Sequence, residues 1–194
     1  MNENNVIFVS RQSNFNDMKR FLLTLALVLT SVSAYCQNTI KFLGIPIDGT
    51  KKEMIAKLQA KGYEYNSYSD AFTGEFNGQN VIIQVQTVNN RVWRIAIIDD
   101  FGRDETNIKI RYNTLYEQFL NNAKYKLANG EKLTEKDDIS MGISVDKKRY
   151  EAVFSFKDNS TNGCVWYMIA KEYGKYKIAM FYENFDNAAN GDDL

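Results

Sequence analysis

Few residues in this chain can do chemistry. Its 194 residues include no histidine and only two cysteines, so the commonest general base and the commonest transition-metal ligand are both missing. Cys36 falls in the N-terminal segment, and Cys164 sits in an alternating apolar run, where a buried structural thiol is the expected role rather than a nucleophile. Carboxylates cluster at Asp99, Asp100, Asp104 and Glu105. They do not follow the alternating acidic pattern with a central glycine that a calcium loop uses; standing before an apolar-periodic stretch, they suit the positive end of a helix. Asp137 and Asp138 lie in a charged stretch and read as solvated. Paired carboxylates can hydrolyse sugars, but no spacing here identifies a pair across a cleft. No catalytic, cofactor-binding or metal-binding residue is assigned. Tyr63, Tyr65 and Tyr68 form an aromatic patch in a polar setting, suited to sugar stacking or protein contact, although rings covering a sheet edge are the plainer reading.

The bulk composition, 44% hydrophobic and 25% charged residues, suits one globular domain. A formal charge of zero, with no dense run of lysine and arginine, points away from nucleic acid. At the N-terminus, Lys19-Arg20, the apolar run Phe21 to Leu29 and small residues through Ala34 have the three-part form of a secretory signal. Met18 is the natural start, which makes residues 1–17 an over-extended gene start and 18–36 the signal peptide. Tyr35 does not provide the small residue that a lipoprotein signal needs before Cys36, so cleavage is expected between Cys36 and Gln37. The expectation is an exported protein, periplasmic or extracellular, without a stable membrane anchor after cleavage. With Cys164 alone remaining, it has no intramolecular disulfide.

Residues 37–194 must then supply the elements. Thr39 to Leu43 reads as a short strand ended by Gly44-Ile45-Pro46. Thr50-Lys51-Lys52-Glu53 is a capping box, Met54, Ile55 and Leu58 form an apolar stripe, and Gly62 can close that helix. Phe72, Gly74 and Phe76 lead into Asn77-Gly78, the strongest short hairpin signal in the chain. Val81, Ile83 and Val85 alternate, as do Trp93, Ile95 and Ile97. A shared face requires an odd connection, met by a three-residue loop Asn89 to Arg91 that pairs Val85 with Ile95. A second helix is expected from Thr106 to Leu127, stopped by Gly130, followed by a charged loop from Glu131 to Ser140. Tyr150, Ala152, Phe154 and Phe156, then Cys164, Trp166, Met168 and Ala170, then Tyr176, Ile178, Met180 and Tyr182 form another alternating set. An odd loop Glu172-Tyr173-Gly174 would place Met168 opposite Ile178.

The expected fold class is α+β: two tandem units, about 39–99 and 104–184, each one helix plus a three-stranded antiparallel meander, with the helices packed on the sheet and a short polar tail at 185–194. The exported start, Phe42-Leu43-Gly44-Ile45-Pro46-Ile47-Asp48-Gly49-Thr50 before the Lys-Glu helix, and the closing Phe181-Tyr182-Glu183-Asn184 resemble a set of small secreted proteins of unassigned function from gut-type Gram-negative bacteria. The doubled plan is also similar to the beta-lactamase inhibitor protein fold. That resemblance implies a concave sheet that grips another protein; it supplies no matched motif.

On this register the outward face of the second meander carries Val153, Val165, Tyr167, Ile169 and Phe181, a candidate interaction surface for a protein partner or for self-association. Cover by the loop from Glu131 to Lys148 or by the tail is the competing reading. The functional expectation is a non-catalytic binding or protein-interaction module of the cell envelope. Envelope glycan binding or a carboxylate-dependent hydrolase is the alternative.

Overall fold

Two-residue turns with positive φ set the architecture. The structure, a computed structural model, describes residues 39–158 and 161–188, all within the unit Thr39–Leu194. The expected over-extended start, the signal with its cleavage site and the end of the polar tail lie outside the described residues. β1 (Lys41–Phe42) and β2 (Ile45–Pro46) form a minimal hairpin about Leu43 and Gly44, so the first strand ends before Gly44 and Ile45 and Pro46 return as a second, antiparallel strand. α1 (Lys51–Ala60) starts on the expected capping box between Thr50 and Glu53 and buries Met54 and Leu58. Gly62, at φ +92°, turns the chain out of it.

β3 (Glu64–Asn66), β4 (Ala71–Phe76), β5 (Gln79–Val88) and β6 (Arg91–Asp99) follow. Phe72 pairs with Ile83 and Val85 with Ile95, as the alternation required. The connection between β5 and β6 differs from expectation: Val88 pairs with Arg91 around a two-residue Asn89-Asn90 turn, both residues at positive φ. A bulge restores the parity. Gln86 pairs with Arg94 but Thr87 with Val92, so Trp93 is the extra residue.

Asp104 caps α2 (Glu105–Leu120), which buries Ile108, Tyr112, Leu115 and Tyr116. The expected extension of this helix to Leu127 is corrected: Asn121 caps it, and Tyr125–Asn129 is a strand, β7. Asn121 and Asn122 are poor helix residues, and the Asn122 side chain accepts from the Lys124 amide at 3.0 Å, closing a turn instead. The charged stretch after Gly130 is anchored by buried Leu133 and Ile139, and ends in α3 (Ile139–Ser144). β8 (Glu151–Phe156), β9 (Gly163–Glu172), β10 (Lys175–Asn184) and a 3₁₀ turn (Phe185–Asn187) complete the described chain.

The expected fold class is overturned. Among the described residues there is one continuous eight-stranded antiparallel sheet, ordered β3-β4-β5-β6-β10-β9-β8-β7, plus the small β1-β2 sheet and three helices, not two units of one helix with three strands. Two features unseen in the apolar pattern account for this. The short edge strands β3 and β7 flank the meanders, and β6 pairs directly with β10, setting Ile97 against Met180 and Ile95 against Tyr182.

The register of β9 is also corrected. Glu172 pairs with Lys175 around Tyr173-Gly174, both at positive φ, with no bulge to compensate. Met168 therefore faces Ala179, and Ile169 faces Ile178. One residue of slip inverts the strand: Val165, Tyr167 and Ile169 enter the core beside Phe154, Met180 and Tyr182, while Cys164, Trp166, Met168 and Ala170 take the other face. α1 and α2 pack on the core face through Met54, Leu58, Ile108, Tyr112 and Leu115.

Candidate interaction face

The sheet face opposite the helices carries the most organised set of side chains. On β6, Arg94, Ala96 and Ile98 alternate outward; on β10, Ala179, Phe181 and Glu183 stand beside them, since Phe181 pairs with Ala96 and Glu183 with Arg94. On β9, Cys164 and Trp166 extend the row through pairs with Glu183 and Phe181. Val153 on β8 pairs with Trp166. Four adjacent strands thus bring two aromatic rings, an arginine and a glutamate together.

Their geometry is tight. Trp166 and Phe181 stack with centroids 4.2 Å apart and planes at 22°. The Arg94 guanidinium lies 4.0 Å from the Trp93 ring centroid and 5.2 Å from that of Phe181, while the Arg149 guanidinium lies 5.9 Å from the Trp166 ring. The result is a ladder, Trp93, Arg94, Phe181, Trp166, Arg149, alternating ring and cation except at the central stacked pair. The β-bulge that frees Trp93 from cross-strand pairing also aims it at Arg94.

The ladder's Arg94 also belongs to a largely buried ion pair. Arg94 Nη2 is 2.5 Å from Glu183 Oε1, with side chains 24% and 8% exposed, and Trp166 Nε1 donates to the same oxygen at 2.8 Å. The Cys164 thiol is 3.8 Å from Glu183 Oε2. Burial, and then the neighbouring Glu183 carboxylate, push that thiol up to about 12, so at neutral pH it is protonated and inert as a nucleophile. Arg94 Nε has no hydrogen-bond partner among the described residues. The pair holds the Trp166 indole through the hydrogen bond to Glu183.

The structure divides the five residues of the sequence-derived surface between the two faces of the sheet. Val153 and Phe181 are on this face and partly exposed, whereas Val165, Tyr167 and Ile169 are 0–2% exposed in the core. Trp166 and Met168, expected inside, belong here, and Arg94 and Glu183 were missed. Each is a charge next to apolar strand residues, uninformative until β6 and β10 are known to be neighbours. Tyr63, Tyr65 and Tyr68 do not assemble. Tyr63 is buried against Gly74, where any Cβ would come within 2.6 Å of its ring. Tyr65 packs on Phe72 at 4.8 Å, and Tyr68 is 99% exposed. Among the acidic residues, Asp104 caps α2 and Asp99 is ion-paired with Arg103 at 2.6 Å. Among the described residues, no group of three or more acidic or cysteine side chains could hold a metal, and no helix is long and apolar enough to cross a membrane.

In comparisons with known proteins, no family model, no curated protein and no solved structure matches the chain.

Proposed function

We propose that this chain is an exported, non-catalytic binding module that holds a protein partner on the ladder face of its sheet. The observation that carries the reading is the ladder itself: tryptophan and arginine side chains held by a largely buried ion pair, on a sheet face left partly exposed. Interface energy concentrates in such residues, because pre-ordered rings and guanidinium groups lose little conformational entropy on contact. The alternatives find less support. Trp166 gives one ring face to Phe181 and has Arg149 nearby, so it offers a sugar no open platform, and Glu183 is committed to Arg94 and Trp166.

The test compares retention from the envelope fraction of the source cells by the wild-type chain, by Phe181→Asp and by Ile110→Asp. Ile110 is an exposed residue of α2 on the helix side. The reading expects a discrete protein retained by wild type and by the Ile110 variant, and lost with Phe181→Asp. Equal retention by all three overturns it.

A further inference from the structure

The end of the sheet marked by the Asn77-Gly78 turn holds a second feature, which the ladder does not use. The loop after β6, the start of β10 and the first turns of α2 enclose a cleft of about 520 Å³, lined in part by Gln79, Arg103, Asn107, Arg111, Thr114 and Lys175. Backbone geometry builds it. The Arg103 amide donates to the Tyr176 carbonyl at 2.7 Å and the Tyr176 amide to Arg103 at 2.9 Å. The same loop presses so closely on β10 that a Cβ at Gly102 would lie 2.6 Å from Lys175 Cβ.

The two arginines in the cleft differ in how well they are satisfied. Arg103 is closed: Nη1 donates to Asp99 Oδ2 at 2.6 Å and to the Phe101 carbonyl at 3.3 Å, and Nη2 donates to Gln79 Oε1. This clamp accounts for buried Asp99. Arg111 is not closed. Its side chain is only 10% exposed, yet Nη2 stands 3.6 Å from Asp99 Oδ1, Nη1 reaches the Asn77 carbonyl only at 3.4 Å, and Nε has no partner among the described residues. A desolvated guanidinium has five donors, and leaving them short of acceptors costs free energy that an anion would recover. Arg103, Arg111 and Lys175 stand against the carboxylates of Asp99 and Asp104, three cations to two anions. The Asp104 carboxylate is itself engaged by the Asn107 amide at 2.8 Å and the Asn107 side chain at 2.9 Å.

We propose that this cleft binds a small oxyanion group, a phosphate or a carboxylate, through the under-satisfied Arg111 guanidinium and the Lys175 ammonium. The planar fork of Arg111 suits two oxygens of one group, and Lys175 adds a mobile point charge at the cleft wall. The site stands apart from the ladder, so neither proposal depends on the other.

Titration of the full chain with inorganic phosphate and, separately, with acetate, at constant ionic strength against chloride, tests the site by nitrogen-edited NMR. The expected result is a saturable shift of the Arg111 Nε–H signal and of the Gly102 amide. Arg111→Met should weaken binding about tenfold, the weight of one charge-assisted hydrogen bond, and Lys175→Gln should weaken it to a smaller extent. Because Lys175 is exposed, its variant keeps the test decisive if Arg111→Met does not fold. Saturation by phosphate alone assigns a phosphate-bearing ligand, and saturation by acetate as well assigns a carboxylate-tolerant site. No saturable response beyond the chloride control, or unchanged binding in the variants, overturns the proposal.

Discussion

Substitutions at Tyr167 and Trp166, neighbours on β9, show which side of that strand is inside. Tyr167 is 0% exposed; its ring meets Tyr112 edge-on at 5.0 Å and lies 6.2 Å from both Phe119 and Phe154. Its hydroxyl donates to the Tyr112 carbonyl at 3.0 Å. Tyr167→Phe removes that hydrogen bond and keeps the packing, so it should cost about 1 kcal/mol. Tyr167→Ala empties the site and should cost about 3–5 kcal/mol, the range for aromatic truncations in a core. Trp166→Ala removes a partly exposed ring with one stacked partner and one hydrogen bond, and should cost about 1–2 kcal/mol. Equilibrium urea unfolding, followed by far-ultraviolet circular dichroism with the slope m held common, measures all three. If Trp166→Ala costs as much as Tyr167→Ala, the inward placement of Tyr167 is wrong and the ladder face with it.

Three further outcomes are expected. Cys164 should resist alkylation by iodoacetamide at pH 8 in the folded protein and react on unfolding in urea, since its thiol is pushed up to about 12; fast labelling of the native protein would contradict the buried pairing with Glu183. Burial raises the Asp48 carboxyl, but hydrogen bonds from Asn187, the Gly49 amide and Arg91 outweigh it, and the net shift is downward from the usual 3.8. A folded value below the unfolded one gives stability that is present above 3.8 and is lost as pH falls through the lowered value, so the stability gap between wild type and Asp48→Asn should shrink on acidification; a gap that widens refutes the assignment. Thr50→Ala breaks the capping box of α1 and should destabilise by about 1 kcal/mol in the same urea assay, with an unchanged midpoint counting against the cap.

Much of the first half could be read from its residues because its strands alternate. Val85 lies between Gln84 and Gln86, and Phe72, Ile83 and Ile95 each border a polar residue, Thr73, Gln84 and Arg94, so one register buries them best, and the shorter turn at Asn89-Asn90 is offset by the bulge at Trp93. β9 offers no such check. From Cys164 to Ala170 every residue is apolar or aromatic, so either face can be buried, and the register hangs on whether Tyr173-Gly174 or Glu172-Tyr173-Gly174 is the turn. The wrong choice moved Tyr167 outward and Trp166 inward. β7 was hidden because the helical spacing of Leu120, Ala123 and Leu127 continues past Asn121, where the backbone leaves the helix. The ladder needed two facts without local signal, the bulge at Trp93 and the pairing of β6 with β10. Arg111 flanks the buried stripe of α2, a place where a charged residue usually reaches solvent, so its sequence position does not single it out; its missing acceptors are visible only in three dimensions.

The central claim is that the ladder face receives a protein partner. A photo-cross-linking amino acid placed in turn at Val153, Phe181 and Ile110, with the chain expressed in its own source cells, tests it most directly. Val153 borders the ladder, Phe181 is part of it, and Ile110 lies on α2 away from it. Val153 and Phe181 should yield the same discrete protein adduct on irradiation, and Ile110 none. Adducts from Ile110 alone, or no adduct from either ladder position, would contradict it.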